Sequence, residues 1–456
     1  MIGNPRARGC LLFTLLLFAT LLAARGTARA AELPRHGVLG AALLESAGAV
    51  SIQAVVPGSA AAAAALRAGD VIRSIGAVPV ERASDVVQTV RRLRPGSTVP
   101  LVIVRNGSEE TISVTVGAPP SEDDPTVRTL YQTIEIAGTL RRTLLDVPKT
   151  LAARRPGVLL VGGIGCFSVD VAANPEDGYL RISRDLARAG FITMRLEKSG
   201  VGDSQGPPCH DVDFHDESAG YAVALEALRR DPRVDPAHLY LLGHSIGTLI
   251  APRLALERPV AGVVVSEAIG RNWFEYELQN LRRQLELGGD APDVVDETLR
   301  SKEYCMHRLL VARDSESHIE ADEPACKKRN GIYPVAAPYM QQVATLNVIE
   351  PWMHIAVPVL AVYGASDYVV AREDHERIVD VVNRERPGLA TLAVVEGMDH
   401  NLQVAATPAA FYANNASGAA TRYQTQFSAV VLHWLCARER CSKGTAQAPS
   451  PPKHAR

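Results

Sequence analysis

The chain has 456 residues, of which 47% are hydrophobic, 21% charged and 5% aromatic, with 48 Lys and Arg against 50 Asp and Glu. That apolar fraction can fill buried cores and excludes global disorder, and at about 100–200 residues per domain the length fits two to four domains. The near balance of charge excludes the strong positive field of a dedicated nucleic-acid binder.

At the N-terminus, Arg6 and Arg8 precede an uncharged apolar run from Cys10 to Ala24, followed by Ala28-Arg29-Ala30. This pattern reads as a secretory signal peptide over residues 1–30, cut after Ala30. The apolar run is too short for the ~20 residues of a membrane-crossing helix. Its removal takes away four arginines and no acid, which moves the formal charge from -2 to -6, and leaves six of the seven cysteines. An even count suits an oxidising compartment, so the protein is expected to be exported, periplasmic or extracellular. No later stretch is apolar enough over ~18 residues to span a bilayer, and no membrane span is expected after signal removal.

From Gly37 to Val116 the sequence alternates in short β-like runs, VLGAALLE, VSIQAVV, DVIRSIGAV, TVPLVIVRNG and EETISVTVG, with one helical segment from Ser84 to Leu93. The turn Pro57-Gly58-Ser59 leads to Leu66-Arg67-Ala68-Gly69-Asp70-Val71-Ile72. On these residues the region 32–118 resembles a PDZ domain of the type attached to bacterial periplasmic proteases. The resemblance implies a peptide C-terminus as partner, added to the edge strand Leu39 to Leu44. Its carboxylate would be held by backbone N–H groups of the turn, at Gly37, Val38, Leu39 and Gly40. Val86, Val87 and Val90 either line that groove or belong to the module's own core, in which case the module serves for docking. Residues 119–126, rich in Pro and acids, read as a linker.

Between Val127 and Cys441, strands and helices alternate, which predicts a mostly parallel sheet covered on both faces. The strands are the apolar runs PGVLLVGG, GFITMRLE, HLYLLGH, AGVVVSE, VPVLAVYG and ATLAVVEG. Residues 271–352 break this rhythm with charged amphipathic helices and read as a cap inserted between two strands. Residues 442–456 read as a disordered tail.

Gly243-His244-Ser245-Ile246-Gly247 lies between the strand HLYLL and the helical segment TLIAPRLALE. This is a Gly-x-Ser-x-Gly nucleophile elbow in its strand-turn-helix setting. A serine hydroxyl needs a general base, and the base needs a carboxylate to hold its tautomer. Asp367 follows the strand VPVLAVY and His400 follows ATLAVVEG, so both reach the same sheet end as Ser245 in the order Ser, Asp, His. Glu267, after VVVS, is the rival orienting acid, and Asp399 reads as structural. The oxyanion donors are expected to be the N–H groups of Ile246, after the nucleophile, and of Ile164, in the loop Gly162-Gly163-Ile164-Gly165. These glycines fail the dinucleotide fingerprint, because Ser168 stands where a third glycine is required. No cofactor is expected.

Residues 127–441 thus resemble the α/β-hydrolase family. The loop Arg195 to Gly206 is similar to that of secreted or periplasmic esterases and the serine aminopeptidase-like group, which commonly reads Asp-x-Arg-Gly-x-Gly-x-Ser. Glu197 and Ser199 depart from that pattern, and Gly162 stands where many relatives carry a histidine. Asp203 and Ser204 read as structural. The dense run His210, Asp211, Asp213, His215 and Asp216 lacks metal-ligand spacing, and no metal site is expected. Fifteen pairings of six cysteines are open; chain proximity favours Cys305 with Cys326 and Cys436 with Cys441, leaving Cys166 with Cys209.

The fold class expected is therefore α/β, an α/β-hydrolase with a helical cap, preceded by a small β-rich PDZ-like domain. The function expected is an exported serine hydrolase acting on a small-molecule carboxylic ester. A peptidase acting on peptides presented by the PDZ-like domain is the alternative, and a non-catalytic peptide-binding scaffold is the third reading.

Overall fold

The computed structural model describes residues 33–441 apart from 47, 123, 328–334 and 440. The predicted signal peptide and C-terminal tail therefore lie outside the described residues. Among the described residues, no helix is long and apolar enough to cross a membrane.

The first layer is a six-stranded sheet with its main path in the order β1 (Ala41–Ser46), β2 (Ala49–Val55), β3 (Val71–Ile75), β5 (Thr98–Arg105) and β6 (Ser108–Thr115); β4 (Val78–Pro79) pairs with β3. Every pairing in it is antiparallel. Helices α1 (Ala60–Ala63) and α2 (Ala83–Arg92) complete the module. Its core gathers Val50, Ile52, Ile72, Leu101, Ile103 and Val114, alternate residues of the strands. Val86 and Val90 join that core, while Val87 is 48% exposed. The first strand begins at Ala41, two residues later than the sequence suggests, because Val38 instead forms an antiparallel bridge with Gly117.

The second sheet has eight strands in the order β7 (Val127–Ile136), β8 (Thr139–Pro148), β10 (Ile192–Leu196), β9 (Arg155–Val161), β11 (Val234–His244), β12 (Gly262–Ser266), β13 (Val359–Gly364) and β14 (Ala390–Val395). Six strands, from β10 to β14, run parallel, and β8 and β7 add an antiparallel edge. This is the α/β-hydrolase arrangement. Strands β10, β12 and most of β11 are buried throughout, which is why their sequences are unbroken apolar runs. Strand order reverses at β9, so the loops after β9 and β11 open at the crevice where ligands settle in open α/β sheets.

Helices α3 (Gly178–Arg188), α4 (Phe214–Arg230) and α5 (Gly247–Glu257) cover the sheet. Between β12 and β13 come the cap helices α6 (Trp273–Gly288), α7 (Pro292–Met306) and α8 (Glu316–Asp322), with two further helices, Ala337–Ala344 and Glu350–His354. Arg283 on α6 donates to the carbonyls of Tyr368 and Val369 at 2.6 and 2.8 Å, fastening the cap to the loop after β13.

The small sheet is fastened to the large one by charge. Asp203 accepts the His36 N–H at 2.7 Å and bonds its ring at 2.5 Å, while Arg35 and Arg142 stand 3.2 and 3.0 Å from the same carboxylate. Arg91 on α2 donates to the carbonyls of Gly200 and Gly202. The stretch read as a linker is pinned as well: Glu122 is buried and paired with Arg195 at 2.5 Å, and it accepts the Val171 N–H at 2.6 Å. Its acidity in the sequence is thus partly a core ion pair rather than a solvated spacer.

Candidate active site

Four loops at the carboxyl ends of the parallel strands converge. Ser245 follows β11 and has φ +54°, a left-handed conformation unusual for a residue with a side chain. The turn is possible because the following helix packs tightly on β9: a Cβ on Gly247 would lie 2.2 Å from the Val161 carbonyl oxygen. His400, in the loop after β14, points Nε2 at Ser245 Oγ at 3.1 Å and Nδ1 at Asp367 Oδ2 at 2.7 Å. Asp367, after β13, is buried, and its other oxygen accepts the Val369 N–H at 2.5 Å. Burial opposes ionisation of Asp367, but the charge and hydrogen bond of His400 hold its carboxyl below the usual range.

The three predicted residues are therefore within hydrogen-bond reach in one line. Asp399 does not join it. Its Oδ1 accepts the N–H groups of Asn401 and Gln403, each at 2.9 Å, and so shapes the loop that carries His400. Glu267 does join it, as a second carboxyl group beneath Asp367: ligand atoms of Glu267, Asp367 and His400 lie within 4.8 Å of one another.

The loop after β9 brings Gly163 beside Ser245; a Cβ there would stand 3.3 Å from Ser245 Cβ. The N–H of Gly163 is taken by Tyr179 Oη at 2.8 Å and that of Gly162 by Tyr221 Oη at 3.1 Å. The N–H groups of Ile164 and Ile246 have no acceptor among the described residues, which leaves them free for a ligand oxygen. The Cys166–Cys209 disulfide and the Lys198 ammonium, 2.7 Å from the Gly163 carbonyl, hold this loop in place. The disulfides Cys305–Cys326 and Cys436–Cys441 are formed as well.

One connection was not foreseen from the sequence. Tyr179 Oη stands 2.7 Å from His244 Nδ1, and His244 Nε2 stands 2.8 Å from the His400 carbonyl oxygen. Because Tyr179 Oη accepts from Gly163, its own proton goes to Nδ1, so Nε2 carries the imidazole proton and donates to His400. Burial, aided by the neighbouring His400, pushes the His244 ring down to about 3, so it stays neutral in this chain of bonds. The relay joins the loops after β9, β11 and β14. His244 was visible only as the variable position of the elbow motif, and its partner Tyr179 lies 65 residues away in the chain.

A cleft of about 570 Å³ opens over Ser245 and His400. Its apolar wall includes Ile164, Phe167, Val171, Tyr179 and Leu402, with the Phe167 and Tyr179 rings stacked at 5.8 Å. Among the described residues the one acid on this wall is Asp177, whose Oδ1 caps α3 by accepting the N–H groups of Tyr179 and Leu180.

In the small module, Gly37 to Gly40 lead into β1, with Val38 in the antiparallel bridge to Gly117. Gly40 has φ +76°, and a Cβ there would lie 2.2 Å from Ser59 Cβ, so only glycine fits. Val38 gives its N–H to Gly117 at 2.9 Å and is not available to a ligand, which narrows the predicted donors to the other three residues. Strand β1 pairs with β2 on one side and is an open edge on the other. The His210 to Asp216 run does not gather into a cluster: His210 and Asp211 pair with each other at 3.2 Å on the surface, and Asp213 caps α4.

Comparison with known proteins agrees with both halves. Residues 37–116 match the PDZ domain family, and residues 176–404 match the family described as serine aminopeptidase, S33. Esterase EstD of Thermotoga maritima is 26% identical over 222 residues, 48% of either chain. A probable periplasmic serine endoprotease, DegP-like, of Pseudomonas fulva is 40% identical over 182 residues, covering 35% of this chain and 37% of that one. The chain thus spans less than half the length of the curated relatives it matches. Among solved structures, an esterase of Pyrococcus furiosus aligns with a TM-score of 0.43 and 12% identity, over 70% of this chain and 97% of that one.

Proposed function

Because the chain belongs to the serine aminopeptidase S33 family of α/β-hydrolases, we propose that it is an exported serine hydrolase whose substrates are carboxylic esters. Ser245 Oγ attacks the ester carbonyl carbon while His400 Nε2 takes its proton, and the Nδ1–H bond to Asp367 stabilises the imidazolium. The carbonyl oxygen gains charge and is met by the N–H groups of Ile246 and Ile164. Collapse of the tetrahedral intermediate expels the alcohol, protonated by His400, and leaves an acyl group on Ser245. Water, deprotonated by His400, then releases the acid and restores the serine.

The observation that carries the ester reading is the cleft wall. An aminopeptidase must hold the protonated α-amino group of its substrate beside the scissile carbonyl, which calls for a carboxylate facing the cleft. The one acid on the described wall caps a helix through Oδ1, and the polar groups beside it, Ser168, Asn401 and Gln403, are uncharged and stand among Ile164, Phe167, Val171 and Leu402. The named activity of the Thermotoga relative supports the same reading.

Fluorophosphonate labelling, followed by turnover of short-chain nitrophenyl esters and aminoacyl arylamides, tests it. Labelling should vanish in Ser245→Ala, and esters should exceed arylamides in kcat/KM by on the order of 100-fold or more. A reversed ratio overturns the ester assignment in favour of the peptidase. The open edge of β1 and the segment before it, with Gly40 in the left-handed conformation, support a peptide C-terminus as the ligand of the small module. Binding of free but not C-terminally amidated peptides by the full chain is the expected outcome. Export is supported by the three disulfides and by the N-terminal signal pattern.

A further inference from the structure

Two carboxyl groups lie beneath the His400 ring where a triad needs one. Glu267 is the first residue after β12 and has no exposed surface. Its backbone φ is +53°, so non-glycine residues at the ends of the adjacent strands β11 and β12 both hold the left-handed conformation. Such conformations persist where the surroundings enforce them, and they cluster at functional sites. Glu267 Oε1 accepts the Gly364 N–H at 3.0 Å, and Oε2 is buried with no donor aimed at it among the described residues.

The groups that face this side chain come from three directions. Asp367 and Tyr363 belong to β13 and its loop, and Asp399 and His400 to the loop after β14. His375, on the helix Arg372–Glu385, accepts the Ala268 N–H at 2.8 Å. Of the cations between β12 and β13, Arg283 is engaged by two backbone carbonyls and Arg271 by the Asp374 carboxylate at 2.6 Å. Two buried carboxylates within 4.8 Å of each other, with no guanidinium or ammonium paired to them among the described residues, strongly disfavour being charged together.

We propose that Glu267 is a positioning residue of the hydrolytic site, a carboxylic acid that keeps its proton and donates it as a hydrogen bond to the Asp367 carboxylate. Asp367 then carries the single negative charge that faces His400, and its orientation is fixed from below as well as by the Val369 N–H. Burial, reinforced by the Asp367 charge, drives the Glu267 carboxyl well above the usual carboxylate range, in keeping with this geometry. The proposal rests on the Ser245, His400, Asp367 reading given above.

The test is the pH dependence of fluorophosphonate labelling of the full chain, in the wild type, Glu267→Gln and Glu267→Leu. Gln keeps an uncharged donor at the same place, so its rate should stay within about 3-fold of wild type and the midpoint of the acid limb within ~0.3 pH unit. Leu removes the donor and should label about 10-fold more slowly or worse. If Glu267 were ionised, Gln would delete a negative charge beside the imidazolium and lower that midpoint by about one unit or more, which overturns the proposal. Wild-type behaviour of the Leu variant overturns it too. Should either variant fail to fold, infrared spectroscopy of the wild type at pH 8 decides, since a protonated buried carboxyl must show its C=O stretch and its absence refutes the assignment. Failure of the underlying triad would appear differently, as labelling that survives Ser245→Ala.

Discussion

At the seam between the small module and the large sheet, Glu122, Asp146 and Asp203 are buried against Arg142 and Arg195, whereas beneath His400 the buried Glu267, Asp367 and Asp399 form no ion pair with Arg or Lys among the described residues. A guanidinium cannot give up its proton in a protein, so Arg142 and Arg195 keep their charge over the whole working pH range. An imidazole can, and a carboxyl group can. The difference separates a cluster that fixes geometry from one that can move a proton between neighbours during a reaction.

The largest expected effect lies at the cluster that has no arginine. Asp367→Asn keeps the shape but withdraws the charge that orients His400, and it should lower kcat on ester substrates by on the order of 10⁴-fold. Stability should change far less, because no permanent cation is left unpaired. A denaturant midpoint well below that of the wild type would show that Asp367 is structural and would erase the contrast between the two clusters.

Arg195→Met should do the reverse. The guanidinium is 1% exposed, pairs with Glu122 at 2.5 Å and Asp146 at 3.0 Å, and donates to the Val169 carbonyl at 2.6 Å. Its loss leaves two buried carboxylates without a counter-charge, at a cost of about 3–5 kcal/mol in unfolding free energy. Chemical denaturation measures it, and a near-neutral result would mean that the seam tolerates uncompensated acids as the cluster beneath His400 does.

The two clusters also differ in how far they could be read from the chain. Ser245, Asp367 and His400 each follow an unbroken apolar run, and parallel strands deliver whatever follows them to one edge, so their convergence was readable without tertiary detail. The glycines of the elbow were readable for the same reason, since strand-turn-helix packing leaves no room for a side chain there. Glu122 was not readable, because it sits in a Pro-rich acidic stretch whose composition resembles any solvated spacer. Nor was the Tyr179–His244 relay, whose bonds connect residues far apart in the chain and depend on a buried ring staying neutral. The proton proposed on Glu267 is a consequence of burial, which composition does not display.

A smaller effect tests where the arginine-neutralised region ends. Glu197, at the start of the loop that meets the small module, is buried and accepts hydrogen bonds from Ser168 Oγ and from the Asp170 N–H at 3.2 Å, with no guanidinium paired to it. Burial, opposed by the Ser168 hydrogen bond and assisted by Asp170, raises its carboxyl to about 7. The folded state therefore binds this proton more tightly than the unfolded chain, whose glutamates titrate near 4.3. Its contribution is full below that unfolded value and is lost as the pH rises toward about 7, a loss of up to ~3 kcal/mol. Glu197→Gln cannot ionise, so its stability relative to wild type should rise by a comparable amount between pH 4.5 and pH 8, read from urea unfolding at both. Asp170, raised by burial to about 6, has a slope of the same sign in both proteins, and because its charge acts on Glu197 the difference reports the coupled pair. Parallel curves for the two proteins would mean that Glu197 is ionised throughout and is neutralised by the seam arginines after all, which would move it from the proton-bearing kind of cluster to the fixed one.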